Sequence, residues 1–168
     1  MQLALLASGN EESVQVDLRS GRFILHRLNL VQISGPTFSP DGKLLLVSSG
    51  MGHVRIFDSA TYRETAKLSG FKFGAHGIGF SPDQPRLAIG STAHEAVTLF
   101  DAHNHERLLT LAAPTPNLFR MTFSPDGNVL AGESGSGASA GTLHFWRAPS
   151  WAVIEKAEAA ERPAPATP

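Results

Sequence analysis

FSPDG at residues 38–42 decides the fold, because it returns as FSPDQ at residues 80–84 and as FSPDG at residues 123–127. The copies lie 42 and 43 residues apart. Each copy has the chemistry of a tight turn, because proline sets φ near the value the turn needs and aspartate supplies a side-chain acceptor. Glycine, which tolerates a positive φ, follows in the first and third copies, and Gln84 takes its place in the second. Apolar runs flank each copy, so the motif predicts a β-hairpin, and its recurrence at a fixed period predicts a repeat architecture.

Further apolar positions keep constant offsets from each copy of the turn. Apolar residues stand five and two places before each Phe, an uneven spacing that predicts a strand with a β-bulge. A second strand carries Leu four places and Ser eight places after each Asp (Leu45, Leu87, Leu130; Ser49, Ser91, Ser134). A third strand alternates apolar and polar residues at 54–58, 97–101 and 143–147, and a fourth follows at 64–68 and 107–111. Four short antiparallel strands per period predict the blades of a β-propeller.

The predicted chain is all-β, with 14 strands that make about 3.5 blades of an incomplete ring. Residues after the last strand are rich in Ala and Glu, with Ser150 as a plausible N-cap, and predict a short C-terminal helix. The expected boundaries are a partial blade at 1–30, complete blades at 31–73 and 74–115, a partial blade at 116–148, the helix at 149–162 and a disordered tail at 163–168.

Composition excludes several classes of function. Lys and Arg total 14 against 15 Asp and Glu, a net charge of −1, so we expect neither nucleic acid nor an anionic membrane as a partner. The chain has no cysteine, which fits a reducing compartment, and its start lacks the basic region of a secretory signal. Its longest apolar run is too short to cross a bilayer. We therefore expect a cytoplasmic location.

The third strands resemble a known family, the WD40 repeats, in a degenerate bacterial form. Phe57-Asp58, Phe100-Asp101 and Trp146-Arg147 stand where that family has its Trp-Asp pair. The family's Gly-His pair is absent, and Gly74-Ala75-His76 resembles it only loosely. The Asp that the family has between its second and third strands is also missing. The hydrogen-bond network that stiffens many WD40 blades is therefore not expected here, and apolar packing is expected to replace it.

This resemblance implies a non-catalytic interaction scaffold that binds a protein or peptide on the face built by the loops. Aromatic side chains dominate interface hot spots, which draws attention to the two phenylalanines of the loop at 71–73. For these two, exposure as an anchor and burial between blades are equally weighted alternatives. The predicted partner-binding residues on this loop face are Met51, His53, Phe71, Phe73, His76, His94, Asn117 and Phe119.

Two alternatives to a self-contained scaffold stay open. One is a propeller enzyme of the lactonase or hydrolase type with a metal in the central channel. His94, His103 and His105 lie close in sequence, but the blade pattern places them at opposite ends of a strand, so no catalytic, cofactor-binding or metal-binding residue is predicted.

The second alternative is that the chain is the C-terminal part of a larger WD40 protein, such as a repeat-bearing kinase. Because an open arc leaves two apolar blade faces uncovered, we expect either a homo-oligomer or completion by a longer propeller.

Overall fold

A computed structural model describes most of the chain. It gives the backbone of residues 2–6, 12–17 and 23–27, and gives residues 32–82, 86–92, 96–114, 117–135 and 141–148 with their side chains. The predicted helix at 149–162 and tail at 163–168 lie outside the described residues.

The described chain is all-β, as predicted, and forms four antiparallel sheets in chain order. The first sheet has the order β1-β2-β3, the second β4-β5-β6-β7, the third β8-β9-β10-β11 and the fourth β12-β13-β14. The strands are β1 (Gln2–Leu6), β2 (Glu12–Asp17), β3 (Phe23–Arg27), β4 (Ile33–Phe38), β5 (Leu44–Ser49), β6 (His53–Asp58), β7 (Glu64–Ser69), β8 (Ala75–Phe80), β9 (Arg86–Ser91), β10 (Val97–Asp101), β11 (Arg107–Leu111), β12 (Leu118–Phe123), β13 (Val129–Ser134) and β14 (Thr142–Arg147).

The repeated turn has the structure that its residues predict. In the first copy the Ser39 hydroxyl donates to Asp41 Oδ1 at 2.6 Å, while the Leu44 amide donates to Ser39 Oγ at 2.9 Å. The Ser39 hydroxyl and a backbone amide donor lower the pKa of Asp41 to about 2. Gly42 takes φ 72°, a conformation in which glycine carries no steric penalty. The third copy repeats this turn through Ser124, Asp126 and Gly127, with φ 69° at the glycine.

The predicted β-bulge lies near the start of the first strand in the second, third and fourth sheets. The register shifts between Ile33 and Gly35 in β4, between Ala75 and Ile78 in β8, and between Leu118 and Arg120 in β12. A bulge bends its strand and changes which side chains point toward the neighbouring sheet. These shifts explain why the apolar residues before each Phe are unevenly spaced.

The second, third and fourth sheets bury their facing surfaces against one another. Val54 and Ile56 of β6 pack in one core with Ile78, Leu87 and Ile89 of the third sheet. In the next interface, Val97 and Leu99 of β10 pack with apolar residues of the fourth sheet, namely Leu118, Met121 and Leu130. The same two positions of the third strand therefore make both interfaces.

Three glycines let the fourth sheet approach the third at backbone distance. A Cβ on Gly90 would stand 2.5 Å from the Leu118 carbonyl oxygen. Gly77 and Gly79 of β8 would meet the backbone of Arg120 and Met121 at 2.9 Å and 2.8 Å. Because real Cβ atoms do not come this close to backbone, any larger residue at these positions must push β12 away.

This close approach predicts that Gly90→Ala destabilises the protein. Overpacking a filled interface costs about 1–3 kcal/mol. Gly35→Ala is the matched control, because Gly35 also lies on a strand but no described atom lies within 4 Å of its Cβ position. The control should be neutral or stabilising by up to about 1 kcal/mol. Urea unfolding of the two variants measures the difference, and equal midpoints would contradict the packing described above.

Candidate functional site

Two loops at one end of the second sheet build the surface that carries the predicted binding residues. Residues 50–52 connect β5 to β6, and residues 70–74 connect β7 to β8. The loops touch through their backbones, since a Cβ on Gly52 would collide with the Phe71 carbonyl oxygen. The Gly52 amide donates to the Ser49 carbonyl at 3.0 Å, and the Met51 amide donates to Ser49 Oγ at 3.1 Å. These contacts hold both loops in defined positions.

The two phenylalanines of the second loop have opposite environments. Phe71 is only 5% exposed and packs against Phe100, with ring centroids 6.0 Å apart. It is therefore buried between the second and third sheets, which is one of the alternatives that the sequence leaves open. Phe73 is 67% exposed, and Met51 on the neighbouring loop is 62% exposed. Phe73 and Met51 are thus available to a partner, whereas Phe71 is available only to the core.

His76 connects three of the sheets beside these loops. It is the second residue of β8, and its Nδ1 lies 2.9 Å from Ser34 Oγ of β4. Its Nε2 lies 2.6 Å from Thr92 Oγ1, just after β9, and its ring lies 4.9 Å from the Phe119 ring of β12. Burial lowers the pKa of His76 below its ordinary value of 6.5. The His76 side chain is therefore half-buried and forms what is called here the polar junction, the contact of its ring with Ser34, Thr92 and Phe119.

The remaining predicted residues occupy different positions. His53 begins β6 directly after the first loop, is partly buried, and has its pKa lowered chiefly by that burial. Asn117 precedes β12 with φ 68°, and Phe119 is exposed beside His76. His94 lies outside the described residues. The structure thus brings His76 and Phe119 together, and brings the loop of Met51 against the loop of Phe71 and Phe73.

Sequence reasoning missed the hydroxyl groups that organise this end of the sheets. Ser34 and Thr92 bind the His76 ring, and Ser48 Oγ donates to the His76 carbonyl at 2.5 Å. The only sequence signal is the run of small residues that ends the second strand, where Ser48 precedes Ser49. Contacts between a serine and a histidine 42 residues away depend on how the sheets pack and leave no local pattern.

A cavity of about 650 Å³ is lined by the first strands of the second, third and fourth sheets (β4, β8 and β12) and by residues of β13 and β14. Its walls include Ser34, His76, Phe119 and the ion pair between Arg120 and Glu133, whose atoms lie 3.7 Å apart. Within the described ranges, no three His, Asp or Glu side chains are grouped so as to hold a metal ion. None of the described segments forms a helix with the length and apolar character needed to cross a membrane.

Comparison with known proteins supports the fold class. No family model matches the chain, and no curated protein sequence matches it significantly. Its structure matches a chain of the mitotic checkpoint complex with a TM-score of 0.70 and 17% identity, covering 87% of this chain and 43% of that one. It matches a chain of Kuenenia stuttgartiensis hydrazine synthase with a TM-score of 0.70 and 20% identity, covering 82% of this chain and 40% of that one.

These matches define a class of architecture. The four consecutive antiparallel sheets and both structural neighbours agree with an incomplete β-propeller. The chain spans about two fifths of the length of these two solved chains. In total 890 solved chains match, so the fold is common and does not select one function.

The position of His76 predicts a pH dependence of stability. Its pKa is lowered in the folded protein, so the unfolded chain binds a proton more readily. The stability that follows from a neutral His76 is complete above pH of about 6.5 and is lost as the pH falls through the lowered pKa. We expect His76→Gln to reduce the loss of unfolding free energy between neutral and mildly acidic pH, as measured by urea unfolding across that range.

His53 has a lowered pKa too and contributes with the same sign, so the His76 variant should remove only part of the dependence. His103→Gln, on the exposed turn after β10, controls for a general effect of losing a histidine. If the His76 and His103 variants had identical pH profiles, the junction at His76 would have no role in this dependence.

Proposed function

We propose that this protein is a non-catalytic interaction module of the WD40 type, which binds a protein or peptide on the loop surface around Met51 and Phe73. The observation that carries the proposal is the contrast within one short loop. Phe71 anchors the loop in the core at 5% exposure, and two residues later Phe73 is held out at 67% exposure. An exposed aromatic ring on an anchored loop is the arrangement from which interface hot spots are made.

The geometry of the loops favours tight binding of a small partner segment. Because the loop of Met51 contacts the Phe71 backbone, the two exposed side chains occupy neighbouring loops whose positions are already defined. Preorganised groups lose less conformational entropy when they bind. Methionine adapts to irregular apolar surfaces, and Phe119 adds a third exposed apolar side chain, beside His76.

The WD40 assignment within the propeller class rests on the third strand of each repeat. Asp58 Oδ1 accepts from the Thr61 amide at 2.8 Å, and Asp101 Oδ1 accepts from the His103 amide at 2.8 Å. Both aspartates thus close the turn after the strand as Asx turns. A Phe-Asp pair at the same structural position in successive sheets supports a degenerate Trp-Asp repeat. One matched chain belongs to a complex, the mitotic checkpoint complex, which agrees with a role in assembly for this fold.

The partner is a peptide or protein segment that presents an apolar side chain to the space between Met51 and Phe73. Lys72 lies between the two phenylalanines and is exposed, so an acidic group beside that apolar residue would add charge complementarity. The net charge of −1 makes a long basic or acidic polymer an unsuitable partner.

Selection of a displayed peptide library on the immobilised protein tests this proposal. We expect enriched peptides to contain an apolar residue next to acidic ones. Phe73→Ala should weaken their binding by about 30-fold, the effect of losing a hot spot worth roughly 2 kcal/mol. Titration calorimetry of one enriched peptide measures the change.

Leu108→Ala is the matched control, because Leu108 is also an exposed apolar residue but lies on β11, the last strand of the third sheet. It should leave peptide affinity unchanged. A selection that enriches no peptide, or peptides that bind the Phe73 and Leu108 variants equally well, would overturn the proposal.

A further inference from the structure

One face of the fourth sheet is apolar and uncovered in the described protein. Leu143 and Phe145 of β14 are 64% and 67% exposed. Their repeat equivalents are Val54 and Ile56 in β6 and Val97 and Leu99 in β10, which are 0–7% exposed. Positions that form the core in two sheets are therefore open to solvent in the fourth.

The two internal interfaces show what covers these positions. In each case the apolar face of the next sheet packs on them: Ile78, Leu87 and Ile89 in one interface, Leu118, Met121 and Leu130 in the other. Leu143 and Phe145 therefore present the surface that this fold pairs with another sheet of the same kind. Residue pairing places Ala131 opposite Phe145 and Glu133 opposite Leu143, so the uncovered surface spans at least two strands.

We infer that this surface, made by Ala131, Glu133, Leu143 and Phe145 and called here the terminal face, binds the first sheet of a second copy of the chain. The first sheet, β1–β3, stands at the other end of the row, where β1 contacts β4. In this arrangement the first sheet of the second copy follows the fourth sheet of the first copy, in the same way that each sheet follows the preceding one within a chain. The contact is head to tail, and the same contact made twice closes a two-fold ring.

Sheet number and charge agree with a second copy as the occupant. Two copies contribute eight sheets, and closed propellers have about four to eight blades. The match covers only 43% and 40% of the two solved chains, so each of those chains is long enough to hold two such rows of sheets. Glu133 is paired with Arg120, so the terminal face carries no unbalanced charge that would repel a second sheet. Exposed apolar surfaces of this kind mark interaction sites.

Light scattering coupled to size exclusion, over a concentration series, tests the pairing. We expect the full chain to have a mass of about 36 kDa, twice the 17.9 kDa of one chain. Phe145→Glu and Leu143→Glu should give monomers, with a dimer dissociation constant raised at least about tenfold. Both side chains are exposed in the single chain, so circular dichroism of these variants should match the unmodified protein. An unmodified protein that is monomeric, or that has any mass other than two chains, would overturn the inference.

Head-to-tail pairing makes a second, independent prediction. The chain has no cysteine, so Leu143→Cys introduces a single thiol. In a head-to-tail ring the two copies of residue 143 lie at different junctions, and oxidation should give no covalent dimer. In a face-to-face pair of fourth sheets the two thiols would meet. A disulfide-linked dimer would therefore overturn the proposed arrangement even if the mass is that of two chains.

Phe73→Glu separates this inference from the proposed function. Phe73 is as exposed as Phe145 but lies on the loop surface. Its substitution should abolish peptide binding and leave the dimer intact, whereas Phe145→Glu should do the reverse. If Phe73→Glu also gave a monomer, the dimer contact would lie at the loops and not at the terminal face.

Discussion

The second and third sheets of this protein each bury one face on the sheet that follows, through two alternate residues of the third strand. Val54 and Ile56 do this in the second sheet, and Val97 and Leu99 do it in the third. Because a pleated strand directs alternate side chains to the same face, this contact requires apolar residues at both positions in every repeat. Val97 and Leu99 follow Val54 and Ile56 by 43 residues, within the 42–43-residue period of the turn, so the repeat presents the same two positions again in the next sheet.

The same packing constraint shapes the candidate site. Glycines on β8 and β9 allow the β12 backbone to approach the third sheet closely. That approach brings Phe119 of β12 to within 4.9 Å of the His76 ring, and His76 in turn binds hydroxyl groups of Ser34 and Thr92. The polar junction beside the loops is thus a consequence of sheet packing. A change that separates the sheets would also change the proposed binding surface.

The fold could be predicted from the sequence, whereas the site could be predicted only in part. The turn at 38–42, the alternating third strands and the bulges are local patterns, and each is confirmed by the structure. Phe71 and Phe73 lie in a loop with no strand periodicity, so nothing local decides which ring enters the core. The contacts of His76 are equally hidden, because Ser34 and Thr92 reach it from other strands. Long-range packing decides the burial of Phe71 and the contacts of His76, and neither feature can be read from composition or from residue spacing.

The local polar contacts of the fourth sheet differ from those of the second and third. Asp58 and Asp101 close the turns after their own strands. In the fourth sheet Ser134 Oγ lies 2.8 Å from His144 Nε2, and the His144 ring stacks near Trp146, whose indole donates to the Ala112 carbonyl at 3.1 Å. Polar contacts also cross between sheets, since His76 of the third sheet meets Ser34 of the second, and Trp146 of the fourth donates to Ala112, just after the last strand of the third. Apolar packing and these polar contacts therefore join the sheets together. The loop at 70–74 takes part in the core through Phe71, while Phe73, two residues later, is exposed.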